Sequence, residues 1–161
     1  MLTILIINLC KILAKNGDYM LIGFKFSNYK SFKDSVEFSM EPLTKNGAIS
    51  NAVETAYRKA SWVYSSSAIF GANASGKSNF IEAINYFQHL MESSYLKRLN
   101  ESMELPSYKL CDEQENSKFE CEFIKNGIAY RYFIELNDTE IAKEEAFYTE
   151  LSEDKLSLIH I

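Results

Sequence analysis

The sequence predicts an α/β fold. A mixed sheet holds a glycine-rich loop and the helix behind it, and a smaller antiparallel sheet over residues 117–150 flanks them. Three observations carry this expectation. An apolar run ending at Phe70 stops at Gly71-Ala72-Asn73-Ala74-Ser75-Gly76-Lys77-Ser78. Apolar residues at helical spacing follow at once, and beyond residue 116 the pattern changes to apolar/polar alternation broken by Asn126-Gly127.

Taken in chain order, Met1 to Cys10 is apolar but has neither a basic n-region nor a small-residue cleavage site, which argues against a signal peptide. Two readings of residues 1–19 stay open: an extra helix or strand, or translated sequence upstream of the natural start. Met20 opens a better organised segment, so the expectation is that Met20 is the initiator and that residues 1–19 are an extra segment whose deletion leaves stability nearly unchanged. Leu21 to Ser27 and Val36 to Met40 alternate as half-buried strands and should pair as a hairpin around Asn28-Tyr29-Lys30-Ser31-Phe32. Glu41 to Lys59, with Pro42, Asn46, Gly47 and Asn51, reads as a loop. Trp62 to Phe70 reads as a strand with a buried end.

The helix after the loop should bury Phe80, Ile81, Ile84, Phe87 and Met91 on one face and turn Glu82, Asn85 and Gln88 elsewhere. Ser94 to Asn116 reads as a helix end and an exposed acidic loop, with Lys97-Arg98 on a solvated face and nucleic-acid contact the lesser alternative. Phe119, Cys121 and Phe123 then alternate with Glu120 and Glu122, and Asn126-Gly127 is the preferred dipeptide of a type I′ hairpin. Ile128 to Leu136 and Ile141 to Glu150 complete three strands, joined by a turn at Asn137-Asp138. Aromatic strands beside an arginine admit a base-stacking platform, but the interleaved acids would repel phosphate, which favours an ordinary sheet with one buried face.

Composition bounds the function. With 161 residues, 47% hydrophobic and 24% charged, and with 2 Pro and 6 Gly, the chain is neither collagen-like nor wholly disordered and has room for one ordinary core. Its net charge of -5 excludes a surface that is all nucleic-acid footprint. Residues 1–78 hold 9 Lys/Arg and 5 Asp/Glu, and residues 79–161 hold 8 and 17, so the half with the glycine-rich loop is the basic one. Cys10, Cys111 and Cys121 show no CxxC spacing, which supports neither a disulfide framework nor a zinc site and points to a reducing cytoplasm. No apolar run reaches the length of a membrane span, so no membrane partner is expected.

The segment from Gly71 to Ser78 matches G-x-x-x-x-G-K-[ST] at every fixed position, a pattern that chance supplies in about one chain in a hundred of this length. It reads as the Walker A loop of a P-loop NTPase. Gly71 and Gly76 permit turns that a Cβ would obstruct, so that successive N–H groups point at phosphate oxygens. Lys77 brings a mobile charge for the β- and γ-phosphates, and Ser78 a hydroxyl for Mg²⁺. The helix that follows would complete the anion site with its N-terminal N–H groups and dipole.

With these motifs in hand, residues 20–150 resemble the N-terminal part of bacterial AAA-family ATP-binding proteins with ABC-type heads related to RecF, SMC and OLD-family proteins. The resemblance rests on Phe26-Ser27-Asn28-Tyr29-Lys30-Ser31-Phe32-Lys33-Asp34, on Ile69 to Asn79, and on Tyr130-Arg131-Tyr132 with Ile141 to Tyr148. Asn73, Ala74, Ser75 and Asn79 are the loop residues typical of that family. The resemblance implies nucleotide contact by these four and by Gly71, Gly76, Lys77 and Ser78, and it places Lys30 near the phosphates. It also implies ATP and Mg²⁺ as cofactors, a homodimer of heads in the full-length protein, and DNA or a nuclease as further partners.

Where the sequence departs from such heads, the catalytic half is missing. No LSGG-like signature segment occurs, and the closest approach to a Walker B strand, Lys109-Leu110-Cys111-Asp112-Glu113, has two apolar residues where about four are needed. Gln88 and Gln114 are unsuited to a Q-loop. Leu156 to Ile161 resembles translated sequencing adapter, so the expectation is an irregular end and an incomplete reading frame; His160 then has no catalytic meaning, and His89 is a surface residue. The parent reads as an ATPase, and this chain as an ATP-binding part of it that is inactive alone. Its biological role stays open among DNA repair, phage defence and toxin control. The alternatives are a non-enzymatic interaction module that folds on a partner, and, less favoured, a P-loop GTPase or kinase, since Thr44-Lys45-Asn46-Gly47 lacks the Asp of a guanine-reading [NT]-K-x-D.

Overall fold

The computed structural model describes residues 3–7, 19–43, 51–93, 103–110, 115–150 and 156–160. In chain order these form β1 (Thr3–Ile7), β2 (Tyr19–Ser27), β3 (Val36–Ser39), β4 (Ala52–Glu54), a 3₁₀ turn (Arg58–Ala60), β5 (Trp62–Tyr64), β6 (Ser67–Gly71), α1 (Lys77–Ser93), β7 (Ser117–Lys125), β8 (Ile128–Leu136), β9 (Ile141–Glu150) and β10 (Leu156–His160). The main sheet has six strands in the order β10-β9-β8-β7-β2-β3, and β1-β6 and β4-β5 are separate two-stranded ladders.

The opening hairpin forms as expected: β2 pairs β3 antiparallel, with Phe24 opposite Phe38 and Lys25 opposite Glu37. So does the second hairpin, where Asn126 (φ 51) and Gly127 (φ 74) make the turn between Lys125 and its partner Ile128. A type I′ turn needs a positive φ at both central residues, which Asn and Gly supply at least strain. The turn at Asn137 is closed by the Asn137 side chain, whose Oδ1 accepts from the N–H groups of Thr139 and Glu140 at 2.9 and 3.0 Å.

Two expectations about the sheet need correction. The antiparallel strands over residues 117–150 do not flank a separate mixed sheet, because β7 pairs β2 from Tyr19↔Lys125 to Ser27↔Lys118 and so joins the opening hairpin. Nor does a mixed sheet carry the glycine-rich loop: β6 pairs antiparallel with β1, and every ladder among the described residues is antiparallel. The reason is connectivity, since parallel neighbours require a long crossover, usually a helix. The helix that follows β6 leads instead to β7, which hydrogen-bonds to β2 and β8.

Smaller corrections follow the same logic. The expected strand Trp62 to Phe70 is two strands, and its end is not buried, with Phe70 59% exposed. Residues 52–54, expected in a loop, pair with β5. On α1 the buried stripe is Phe80, Ala83, Ile84, Phe87 and Leu90, the i, i+3, i+4, i+7, i+10 series, while Met91 is exposed. His89 is exposed, as expected.

The core lies between α1 and one face of the main sheet. Phe80 and Phe87 meet Phe24 edge-on, and Phe119 contacts Phe24, Phe26, Tyr29, Tyr86 and Phe87 with ring centroids 5.6 to 6.5 Å apart. The opposite face is polar, with Lys25 near Glu37, Lys118 near Glu135 and Arg131 near Glu120 at 3.8 to 3.9 Å. Such exposed pairs stabilise little, so the core holds the sheet and the charges keep this face solvated. A cavity of about 690 Å³ opens there, lined by both signs of charge, and none of its lining residues belongs to the glycine-rich loop.

The ladder of β1 with β6, from Thr3↔Gly71 to Ile7↔Ser67, gives the N-terminal segment a partner. Tyr19, moreover, opens β2, with the Lys125 ammonium bonded to its hydroxyl and 4.3 Å from its ring centroid. Deleting residues 1–19 is therefore expected to lower the melting temperature and to raise amide exchange across Ser67–Gly71, the reverse of the expectation from sequence. Unchanged melting and exchange would show that β6 holds its place without β1.

Candidate functional site

β6 delivers the chain to Gly71, and the next five residues turn it into α1. Ala74 (φ 60) and Gly76 (φ 93) both take left-handed conformations, and the Ser75 N–H donates to the Ala72 carbonyl at 3.3 Å. The two fixed glycines answer to different neighbours. A Cβ on Gly71 would stand 2.6 Å from Ser75 Oγ, and one on Gly76 would stand 2.8 Å from Phe32 Cζ in addition to the strain of its φ.

The Phe80 N–H donates to the Gly76 carbonyl at 2.9 Å, the first i to i−4 bond of the helix. The N–H groups of Lys77, Ser78 and Asn79 therefore come before the helical ladder and carry the positive end of its dipole. No acidic residue lies in the first turn to offset it. Residues 72–75 and Ser78 are exposed, and Lys77 and Asn79 are half-buried. Lys77 folds back over the loop, its Nζ donating to the carbonyls of Gly71 at 2.9 Å and Ala72 at 2.6 Å and lying 3.5 Å from Ser75 Oγ. Backbone N–H groups, an ammonium and a hydroxyl converge on one short stretch. That donor set suits a polyphosphate anion with its cation. Among the described residues no group of three or more His, Cys, Asp or Glu side chains could hold a metal ion, and the loop itself offers the hydroxyls of Ser75 and Ser78.

Beside the loop sits the turn from Asn28 to Phe32, in which Asn28 (φ 53) and Lys30 (φ 49) are left-handed. Sequence reasoning assigned a role here to Lys30 alone. Its ammonium forms an ion pair with Glu82 on α1, and its N–H donates to the Pro106 carbonyl at 2.7 Å. The Asn79 side chain donates to Ser31 Oγ at 2.8 Å. Tyr29 donates to the Glu82 carbonyl at 3.2 Å, and burial pushes its pKa up to about 12, which keeps that donor protonated at any working pH. Asn28 is buried with its groups in use: its Nδ2 donates to the Glu115 carbonyl at 2.5 Å and its Oδ1 accepts from the Tyr108 N–H at 3.3 Å. Asn28, Ser31, Phe32 and Glu82 went unassigned because their partners are distant in sequence. The signal available was two successive SNY and KSF triplets inside an otherwise alternating hairpin. Asp112 and Glu113, the acids of the segment that falls short of a Walker B strand, and Lys97 and Arg98 lie outside the described residues.

A protein-family model described as "AAA domain, putative AbiEii toxin, Type IV TA system" matches residues 66–159, more than half of the chain. The chain belongs to this AAA-domain family. No curated protein and no solved structure matches it. The match begins one residue before β6 and takes in the glycine-rich loop, α1 and the strands from β7 to β9, so the AAA domain includes every loop residue described above. Membership supports a nucleotide-binding domain of the P-loop ATPase kind. No helix among the described residues of this AAA domain is long and apolar enough to cross a membrane.

Proposed function

We propose that this AAA domain binds ATP with Mg²⁺ through residues 71–79. The observation that carries the reading is the convergence of the exposed loop, the N-terminal N–H groups of α1 and the Lys77 ammonium on one site. Backbone N–H groups from Gly71, Asn73, Ala74, Ser75 and Gly76 onward would receive phosphate oxygens, Lys77 would exchange its loop carbonyls for them, and the Ser78 hydroxyl would hold Mg²⁺. Mg²⁺, when bound, neutralises phosphate charge. Asn79, in the first turn of α1, and Lys30, in the adjoining turn, serve the site; direct contact of Lys30 with phosphate requires it to leave Glu82. Titration of Mg-ATP against the 161-residue chain tests the assignment, and absence of saturable binding would overturn it.

The finer reading is an ABC-type head of the RecF, SMC and OLD kind, bacterial and cytoplasmic, which hydrolyses ATP as a dimer of heads when its Walker B acids and signature segment are supplied. Of the roles left open by sequence, the description of the family favours toxin control. Phosphoryl transfer depends on positioning and on charge stabilisation, and the residues of this loop supply one side of it. The chain alone is therefore expected to bind and stall. Steady phosphate release over multiple turnovers, abolished by Lys77→Ala, would show instead that a complete catalytic site is present.

A further inference from the structure

The geometry points to Phe32 as a positioning residue for the phosphate loop: its ring braces Gly76 and holds the last peptides of the loop where they receive phosphate. The inference rests on the nucleotide-binding reading above and adds to it a device outside the loop motif. A Cβ on Gly76 would stand 2.8 Å from Cζ of Phe32 and 3.4 Å from both Cε atoms, so the tip of the ring occupies the space on that side of the glycine. Only a hydrogen fits between them.

The ring, itself half-buried, is backed by the core. It packs edge-on against Phe26, centroids 5.2 Å apart at 88°, and Phe26 is 1% exposed. Phe32 is also locked through its backbone, with N–H and C=O both bonded to Tyr29 at 2.9 Å. The turn that carries it is tied to the first turns of α1 by Asn79 with Ser31 and by Glu82 with Tyr29 and Lys30. Gly76 is thus held between the helix it opens and a strut from the end of β2. A left-handed peptide at the mouth of an exposed loop would otherwise sample many conformations, and its donors serve an anion only when they are fixed beforehand.

The test uses the full 161-residue chain and two measurements, Mg-ATP titration and amide exchange without nucleotide. Phe32→Ala is expected to raise exchange at residues 71–77 while β7 and β8 keep their protection, and to weaken Mg-ATP binding about tenfold, the scale of ordering one or two more residues on binding. Phe32→Leu should recover part of both effects. In a Gly76→Ala background the sign reverses: removing the ring makes room for the methyl, so the double variant should exchange less at the loop than Gly76→Ala alone. A structural role with no bearing on Gly76 would not produce that reversal. A folded Phe32→Ala with loop exchange and affinity like wild type would overturn the brace. If Phe32→Ala loses protection in β7 and β8, Phe32→Leu decides by the same criteria. If the wild type fails to bind Mg-ATP, the nucleotide reading falls by itself, and the exchange arm still decides whether Phe32 braces Gly76.

Discussion

Lys77→Ala is expected to weaken Mg-ATP binding by about 1.5 to 3 kcal/mol, a factor of roughly ten to a hundred, which is the range of a hydrogen bond to a charged group. The loss is that of the phosphate contact itself: the substitution removes the side-chain cation closest to the loop, whose Nζ donates to the carbonyls of Gly71 and Ala72 at 2.9 and 2.6 Å until phosphate replaces them. Because Lys77 is partly exposed and lies at the first position of α1, where helix propensity matters least, thermal stability should move little. Calorimetric titration beside a thermal melt separates the two effects. Equal affinity for Mg-ATP in the wild type and the variant would mean that the phosphate site lies elsewhere.

The largest loss of stability is expected at Phe119, which is 0% exposed and sits where β7 crosses beneath α1. Its ring is stacked on Phe26 at 15° and tilted against Phe24, Tyr86 and Phe87, and it meets Tyr29 edge-on. Phe119→Ala should destabilise the fold by about 3 to 5 kcal/mol, from lost burial plus a cavity that five surrounding aromatic rings cannot easily collapse into. Urea denaturation would read this as a lower midpoint with an unchanged slope. Tyr130→Ala, at a residue half-buried near the hairpin end and stacked on Phe123 at 5.3 Å, should cost much less. A similar midpoint for the two variants would show that the core is not centred on Phe119.

Local chemistry was legible in the sequence. Asn126-Gly127 specified its own turn, because a pair of positive φ angles is a property of those two residues wherever they fall. The helix after the loop was legible from its 3.6-residue period, and the glycine-rich loop from fixed residues whose spacing is set by backbone reach. The period could not tell Met91 from Leu90, since both lie near the edge of the apolar stripe and only the position of the sheet beneath α1 decides which is covered.

Strand partnership was not legible. Alternation in Ser117–Lys125 specifies one buried face but not which strand lies alongside, and β2, some ninety residues earlier, is the neighbour. The same holds for β6, whose apolar run fits a buried central strand or, as here, a strand paired with β1 that leaves Phe70 exposed. At the candidate site, Gly76, Lys77 and Ser78 announce themselves because the roles proposed for them are local to the loop and helix start. The ring of Phe32 against Gly76, Ser31 on Asn79 and the Lys30–Glu82 pair bring together residues more than forty positions apart. A contact of that kind depends on the packing of β2 against α1, which is a property of the whole core and of no single segment, and so tertiary structure alone decided it.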